Sequence, residues 1–394
     1  MPAPALLMIP GPIEIEDAVI TAYSSAPPSH VSPQVIGDFG DALRGMRSVW
    51  CADESAQPFV IAGSGTLAME MAVTNLIDPG EAVLLVHTGF FSERMGEMLQ
   101  RRGAKITTIS AQPGHAPETA EVEAALGSAD FKALFATHVD TSTGVRVDAR
   151  SLADAATRHG ALSVLDGVCA TAAERLEMTA WGVDVYLTAS QKAIGLPAGL
   201  ALLVASERAM KARETLQVLP PMSIDFAEWT PIMQAYEAGN PSYFSTPATT
   251  LISALRVSLD DILASQLGAD RGMQARFAEH QRAADAMRAA WRALGLTMLP
   301  SPRLAANTLS ALLYPPGVDA AMLASVRERG VILAGGLHPD LKTTYFRVGH
   351  MGRVVREPAR LQTTVRAIGD ALAHHGHTGD IAGAVAEIDR HFRA

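Results

Sequence analysis

From about residue 58 to 215, apolar runs of strand length alternate with segments of helical period. That alternation restricts the fold more than any other feature. Strands are expected at Pro58–Ala62, Ala82–His87, Lys105–Ser110, Ala133–His138, Ala161–Asp166, Val185–Ala189 and Leu200–Ala205. Helices are expected at Thr66–Ile77, at Glu93–Arg102 ending on Gly103, and at Ser151–His159 ending on Gly160. Strands separated by helices pair in parallel, because a crossover helix returns the chain to the same edge. The implied class is α/β, a mostly parallel sheet sandwiched by helices. Ligands of such sheets collect beyond the carboxyl ends of the strands. Gly63 to Thr66, Phe91, Thr141 and Asp166 all follow strand ends there.

Beyond residue 250 the texture changes. Helical stretches at Thr249–Ser265 and Gly272–Leu294 lead to a strand at Thr308–Tyr314 and a helix at Asp319–Arg329. Strands at Val331–Leu333 and Thr344–Val348 and a helix at Arg353–Ala373, with Gly376 beyond it, complete the expectation. The reading is an N-terminal arm over 1–20, a large domain over 21–262 and a smaller α+β domain over 263–394. Gln217 to Thr246, rich in Pro, Met and aromatics, reads as a long irregular stretch, the kind that is often functional inside a compact domain.

Val164-Leu165-Asp166-Gly167 closes an apolar run on an acid, and 26 residues on, Lys192 follows the small polar turn Ala189-Ser190-Gln191. A buried lysine has a lowered pKa and supplies the uncharged amine that condenses with an aldehyde. A buried carboxylate can hold a proton on a pyridine nitrogen and make the ring an electron sink. The pair therefore suits pyridoxal 5′-phosphate. Gly63-Ser64-Gly65-Thr66 opens a helix after a strand, where free N–H groups, the helix dipole and two hydroxyls favour a phosphate. The same glycines also match a dinucleotide fingerprint, but that requires an acid at the end of the next strand. His87-Thr88-Gly89 stands there instead, and a nicotinamide cofactor loses its support. Phe90-Phe91 offers an aromatic face to a flat heterocycle.

Together the motifs resemble the class V aminotransferases of PLP fold type I, within the alanine–glyoxylate and serine–pyruvate group. The matching segments are Pro10-Gly11-Pro12, Gly63-Ser64-Gly65-Thr66, Thr137-His138-Val139-Asp140-Thr141-Ser142-Thr143-Gly144, Leu165-Asp166-Gly167-Val168, Ser190-Gln191-Lys192, Ser242-Tyr243 with Thr246-Pro247, and Phe346-Arg347-Val348-Gly349-His350-Met351-Gly352. The resemblance implies that Lys192 holds the cofactor and shuttles the proton, and that Asp166 pairs with the ring nitrogen. It implies that Phe91 stacks on the ring, that Thr141 hydrogen-bonds near the ring hydroxyl, and that Ser64, Gly65, Thr66 and Gln191 hold the phosphate. Tyr243 and Thr246 would reach the phosphate of the neighbouring subunit, giving a homodimer with shared active sites. Arg347 would clamp the substrate α-carboxylate through a fork that lysine lacks. The implied reaction carries an amino group from alanine or serine to glyoxylate or pyruvate.

Asp140 stands where many relatives carry Glu, Phe91 replaces a Trp, and Val31 follows His30 where several glyoxylate-using relatives have Arg. These departures bear on the substrate. Pyridoxamine–pyruvate or 2-aminoethylphosphonate–pyruvate exchange is the neighbouring alternative, and a catalytically silent binding subunit is another. With the net charge at −9, neither nucleic acid nor an anionic membrane is expected as a partner. Cys51 and Cys169 are the only cysteines, so a disulfide framework and a cysteine-based zinc site are excluded. No metal is expected: His374, His375 and His377 lie at a helix end, where cationic side chains suit the dipole. Met1 to Pro12, broken by four prolines and without a basic leader, is a poor signal peptide, and a cytoplasmic protein is expected.

Overall fold

The computed structural model describes residues 5–393. The first four residues of the expected N-terminal arm therefore lie outside the described residues. A seven-stranded sheet organises the chain: β1 (Gln57–Ala62), β2 (Ala82–His87), β3 (Lys105–Ser110), β4 (Ala133–Thr137), β5 (Leu162–Asp166), β6 (Val185–Ala189) and β7 (Leu200–Ala205), in the spatial order β1-β7-β6-β5-β4-β2-β3. β7 runs antiparallel to both β1 and β6, and every other pair is parallel. β4 to β7 are buried at every residue, as expected of strands covered on both faces. With β7 reversed, β1 points the same way as β2, β4, β5 and β6. β3 runs parallel to β2, so six strands deliver their carboxyl ends to one edge of the sheet.

Helix α1 (Gly65–Leu76) follows β1, and α2 (Phe90–Arg102) follows β2, stopping at Gly103 in a left-handed conformation (φ +87°). One apolar core runs from Val19 to Phe277 in sequence around this sheet. A second joins Met8 to residues between Ala283 and Ile388. Its sheet has three strands, with Tyr345–Gly349 between Leu309–Leu313 and Ala334–Gly335, all antiparallel.

Several elements depart from the sequence reading. Within the segment read as an N-terminal arm, Leu6–Leu7 pairs in parallel with Val331–Ile332, and a helix not expected from sequence begins at Asp17 and runs to Tyr23. Val331–Ile332 accordingly joins the amino-terminal strand rather than the three-stranded sheet. The stretch expected to be irregular contains a 12-residue helix, Phe226–Glu237, which persists through Pro231 because Phe226, Trp229, Ile232, Met233 and Tyr236 are buried along it. Pro33–Trp50, Thr119–Leu126 and Ile381–Arg393 are further helices the periodicity did not reveal. Helix Pro358–His374 begins later than expected, after a 3₁₀ turn at Gly352–Arg356. Near its end His375 meets Ser325 Oγ at 3.0 Å, and His377 meets the Leu294 carbonyl at 2.8 Å. No described helix is long and apolar enough to cross a membrane.

Candidate active site

Asp166 ends β5 at the centre of the convergent edge, paired in register with Thr137 of β4 and Leu187 of β6. Its carboxylate is almost wholly buried, and Oδ1 accepts the Val168 N–H at 2.8 Å. Burial raises its pKa to about 7. The nearby Asp140 pushes the same way, while the Val168 bond, Lys192 and Arg94 oppose. The ordinary value is 3.8. In the cofactor-stripped protein the stability contribution is therefore complete below about pH 4 and is lost as the pH rises through about 7, by at most about 4 kcal/mol. Asp166→Asn removes the charge and keeps the shape. We expect it to raise the melting temperature of cofactor-stripped protein at about pH 8 and to flatten its fall from about pH 5. A calorimetric series with unchanged pH dependence would contradict the assignment.

Lys192 lies in the turn beyond β6 and is 8% exposed. Among the described residues it has no carboxylate at ion-pair distance; its Nζ donates to the Pro10 carbonyl. Burial pushes the ammonium pKa down and Arg347 adds to that, against Cys169 and Asp166. The lysine is thus held toward its neutral form. The sequence reading gave Pro10-Gly11-Pro12 no role, yet this segment closes over the amine. A Cβ on Gly11 would lie 2.4 Å from Lys192 Cδ, and the backbone there has φ +93°, so both sterics and conformation call for glycine.

Arg347, on the central strand of the three-stranded sheet, points its fork to the same place. Nε donates to the Gly335 carbonyl at 2.8 Å and Nη1 to the Thr141 carbonyl at 3.1 Å. No carboxylate at ion-pair distance is found among the described residues, and burial pushes its pKa down. Two of its five N–H donors orient it and the rest remain for a ligand. Tyr345 fixes the loops that hold it: its hydroxyl donates to the Ser142 carbonyl at 2.5 Å and accepts the Leu337 and His338 N–H groups. Cys169 packs among Ile13, Ala170, Ala193 and Met351, with Sγ 3.7 Å from Thr308 Oγ1.

Asp140, noted from sequence only as a departure, proves to be structural. Its Oδ2 accepts the Phe91 and Ser92 N–H groups at 3.2 and 3.3 Å, and Oδ1 accepts the Ser142 N–H and hydroxyl at 3.0 and 2.6 Å. An acid at the amino end of α2 satisfies otherwise orphaned donors and favours the helix dipole. It also sets the start of the helix that carries Phe91. His138, fully buried, meets Tyr186 Oη at 2.7 Å, and burial lowers its pKa to about 3, so it stays neutral behind Asp166.

The Ser64–Thr66 turn opens α1, with Ser64 and Thr66 exposed and Gly65 buried. Gln191 carries a buried Oε1 that has no hydrogen-bond partner among the described residues. Tyr243 and Thr246 are not brought to this group. Tyr243 is 64% exposed, its hydroxyl 3.4 Å from Thr246 Oγ1, and its ring faces His30, beside the exposed Val31.

Over most of its length the chain is similar to known proteins. The family profile described as aminotransferase class-V matches residues 39–355. Alanine–glyoxylate aminotransferase 1 of Saccharomyces cerevisiae is 37% identical over 366 residues, 88% of this chain and 91% of that protein. The L-aspartate–glyoxylate aminotransferase of Paracoccus denitrificans is 32% identical over 394 residues, 98% of this chain and 96% of that protein. The crystal structure of an alanine–glyoxylate aminotransferase from Nostoc superposes with a TM-score of 0.85 at 26% identity, covering 94% of this chain and 96% of that one.

Proposed function

Because the chain belongs to the class-V aminotransferases, we propose that it moves the amino group of alanine or serine to glyoxylate or pyruvate, using pyridoxal 5′-phosphate. The observation that carries this reading is a buried lysine that has no carboxylate partner among the described residues, beside an arginine fork equally without one there. The first suits an aldehyde and the second a substrate carboxylate. The relatives named above act on alanine or aspartate with glyoxylate, and the choice of a small donor rests on that likeness.

The residues present fit the cofactor. Lys192 offers a buried amine and Asp166 a buried acid for a ring nitrogen, while Gly65 lets the start of α1 pack closely on Val168 and Ala189, where a Cβ would lie 3.0 Å from Val168 Cγ2. The unpartnered end of Gln191 is a second sign of fit, since its amide can turn either way to meet a ligand. We assign the phosphate to Ser64, Gly65, Thr66 and Gln191, the ring face to Phe91 and the ring hydroxyl to Thr141.

When bound, the cofactor supplies an aldehyde for the donor amine and a ring that absorbs the electron pair released at the donor Cα. Asp166 holds the proton on the ring nitrogen. Arg347 takes the α-carboxylate of the donor and, in the return half, that of the 2-oxo acid, so both substrates are fixed at one place. Lys192 Nζ, its ammonium pKa lowered by burial, takes the Cα proton from the donor and returns one to the Cα of the product. Pro10 and Gly11 limit where that amine can swing. Because both halves use one site, the kinetics are ping-pong.

The assignment is tested by incubating the purified protein with alanine and glyoxylate and following pyruvate and glycine by NMR. Equimolar formation of both supports it. Failure with alanine and serine as donors, alongside turnover of pyridoxamine or an aminophosphonate, would contradict it. Tyr243 and Thr246, exposed on this chain near Val31, are assigned to the phosphate of the other protomer in a homodimer. Sedimentation should accordingly give a dimer; a fully active monomer would overturn that assignment.

A further inference from the structure

Arg94 lies one turn into α2, and its charge is not used where a surface arginine would ordinarily spend it. Glu97 stands three residues on, at helical pairing distance in sequence. Yet no ion pair of Arg94 is found among the described residues. Its guanidinium instead lies 4.9 Å from the Phe90 ring centroid and 5.4 Å from that of Phe91. Nη1 reaches Thr66 Oγ1 at 3.5 Å, at the amino end of α1. Its field extends inward as well, since Arg94 is among the cations that hold down the Asp166 pKa.

The phosphate cradle assigned above is made of Ser64, Gly65, Thr66 and Gln191. It offers hydroxyls, N–H groups and an amide, but no full positive charge. A phosphate monoester carries between one and two negative charges at neutral pH. We propose that Arg94 is a phosphate-binding residue that supplies this missing charge, clamped in place by Phe90 and Phe91. Stacking removes much of the conformational freedom an arginine otherwise loses on binding. Thr66 Oγ1 marks the position the guanidinium already occupies at the edge of the cradle. Phe91 then serves two purposes, one face for the ring of the cofactor and another contact for the cation that meets its phosphate.

This inference rests on the cofactor reading, and the experiment separates the two. The full-length protein, stripped of cofactor, is titrated with pyridoxal 5′-phosphate and with pyridoxal, which lacks the phosphate. Arg94→Gln should weaken pyridoxal 5′-phosphate about tenfold, the scale of one charged hydrogen bond, and leave pyridoxal unchanged. Arg94→Lys, which keeps the charge, should retain most of the preference for the phosphorylated form. Inorganic phosphate should raise the melting temperature of the stripped wild type and not of Arg94→Gln. Equal weakening of both vitamers would mean that Arg94 only positions Phe91, and would overturn the proposal. So would unchanged binding of pyridoxal 5′-phosphate by Arg94→Gln. A wild type that does not prefer the phosphorylated vitamer would overturn the cradle assignment and this proposal with it.

Discussion

Replacing Lys192 with Ala is expected to lower turnover by at least about 10⁴-fold while leaving the fold intact. The substitution removes both the group assigned to hold the cofactor and the base at the donor Cα, so no partial pathway remains. The fold should persist because Lys192 makes no ion pair among the described residues, and its single hydrogen bond goes to the Pro10 carbonyl. Removing a buried amine also relieves the desolvation that depresses its pKa. Far-UV circular dichroism and the melting temperature should stay near those of the wild type. Residual turnover above about 1% of the wild-type rate, in protein free of wild-type contamination, would be incompatible with a catalytic lysine at this position.

Arg347→Ala is expected to be the second-largest effect. It truncates one side of a partly buried charge pair with the substrate, a loss of about 2–4 kcal/mol, or roughly 30- to 1000-fold in kcat/KM. The loss should be the same for donor and acceptor, because one fork receives both carboxylates. Arg347→Lys should recover only a fraction, since an ammonium cannot bond to two carbonyls and still present a fork. Steady-state kinetics with each substrate varied in turn provide the check. A defect confined to the donor or to the acceptor would mean that each carboxylate has its own site. Full rescue by Lys would mean that charge alone matters.

Much of the sheet was legible because β4 to β7 are buried on both faces and read as unbroken apolar runs. Asp166 and Lys192 could be singled out because Asp166 closes such a run and Lys192 follows another across the turn Ser190-Gln191. Helix Phe226–Glu237 was not, because Pro231 argues locally against a helix and only burial against the core reverses that. Helix Ile381–Arg393 carries an apolar stripe of Ile381, Ala384, Val385, Ile388 and Phe392 packed on the second core, a helical period that the sequence reading passed over.

Long-range contacts within the site were hidden altogether. Asp140 bonds residues 48 and 49 positions earlier, and Pro10 meets a lysine 182 positions later. No periodicity reports on such pairs. Arg347 could be proposed as a clamp from its motif, but the absence of a competing carboxylate among the described residues is visible only in three dimensions. The placement of Arg94 against Phe90, Phe91 and Thr66 belongs to the same class, since α1 and α2 meet only in the folded chain.

Covalent attachment of the cofactor at Lys192 is the premise on which every assigned role depends. Purified protein treated with borohydride, which fixes an aldehyde to the amine it has condensed with, should yield one modified peptide on mass-spectrometric mapping. The phosphopyridoxyl group is expected on Lys192, with none on Lys105, Lys132, Lys211 or Lys342. Modification of another lysine, or a protein that takes up no label after incubation with pyridoxal 5′-phosphate, would contradict the account at its centre.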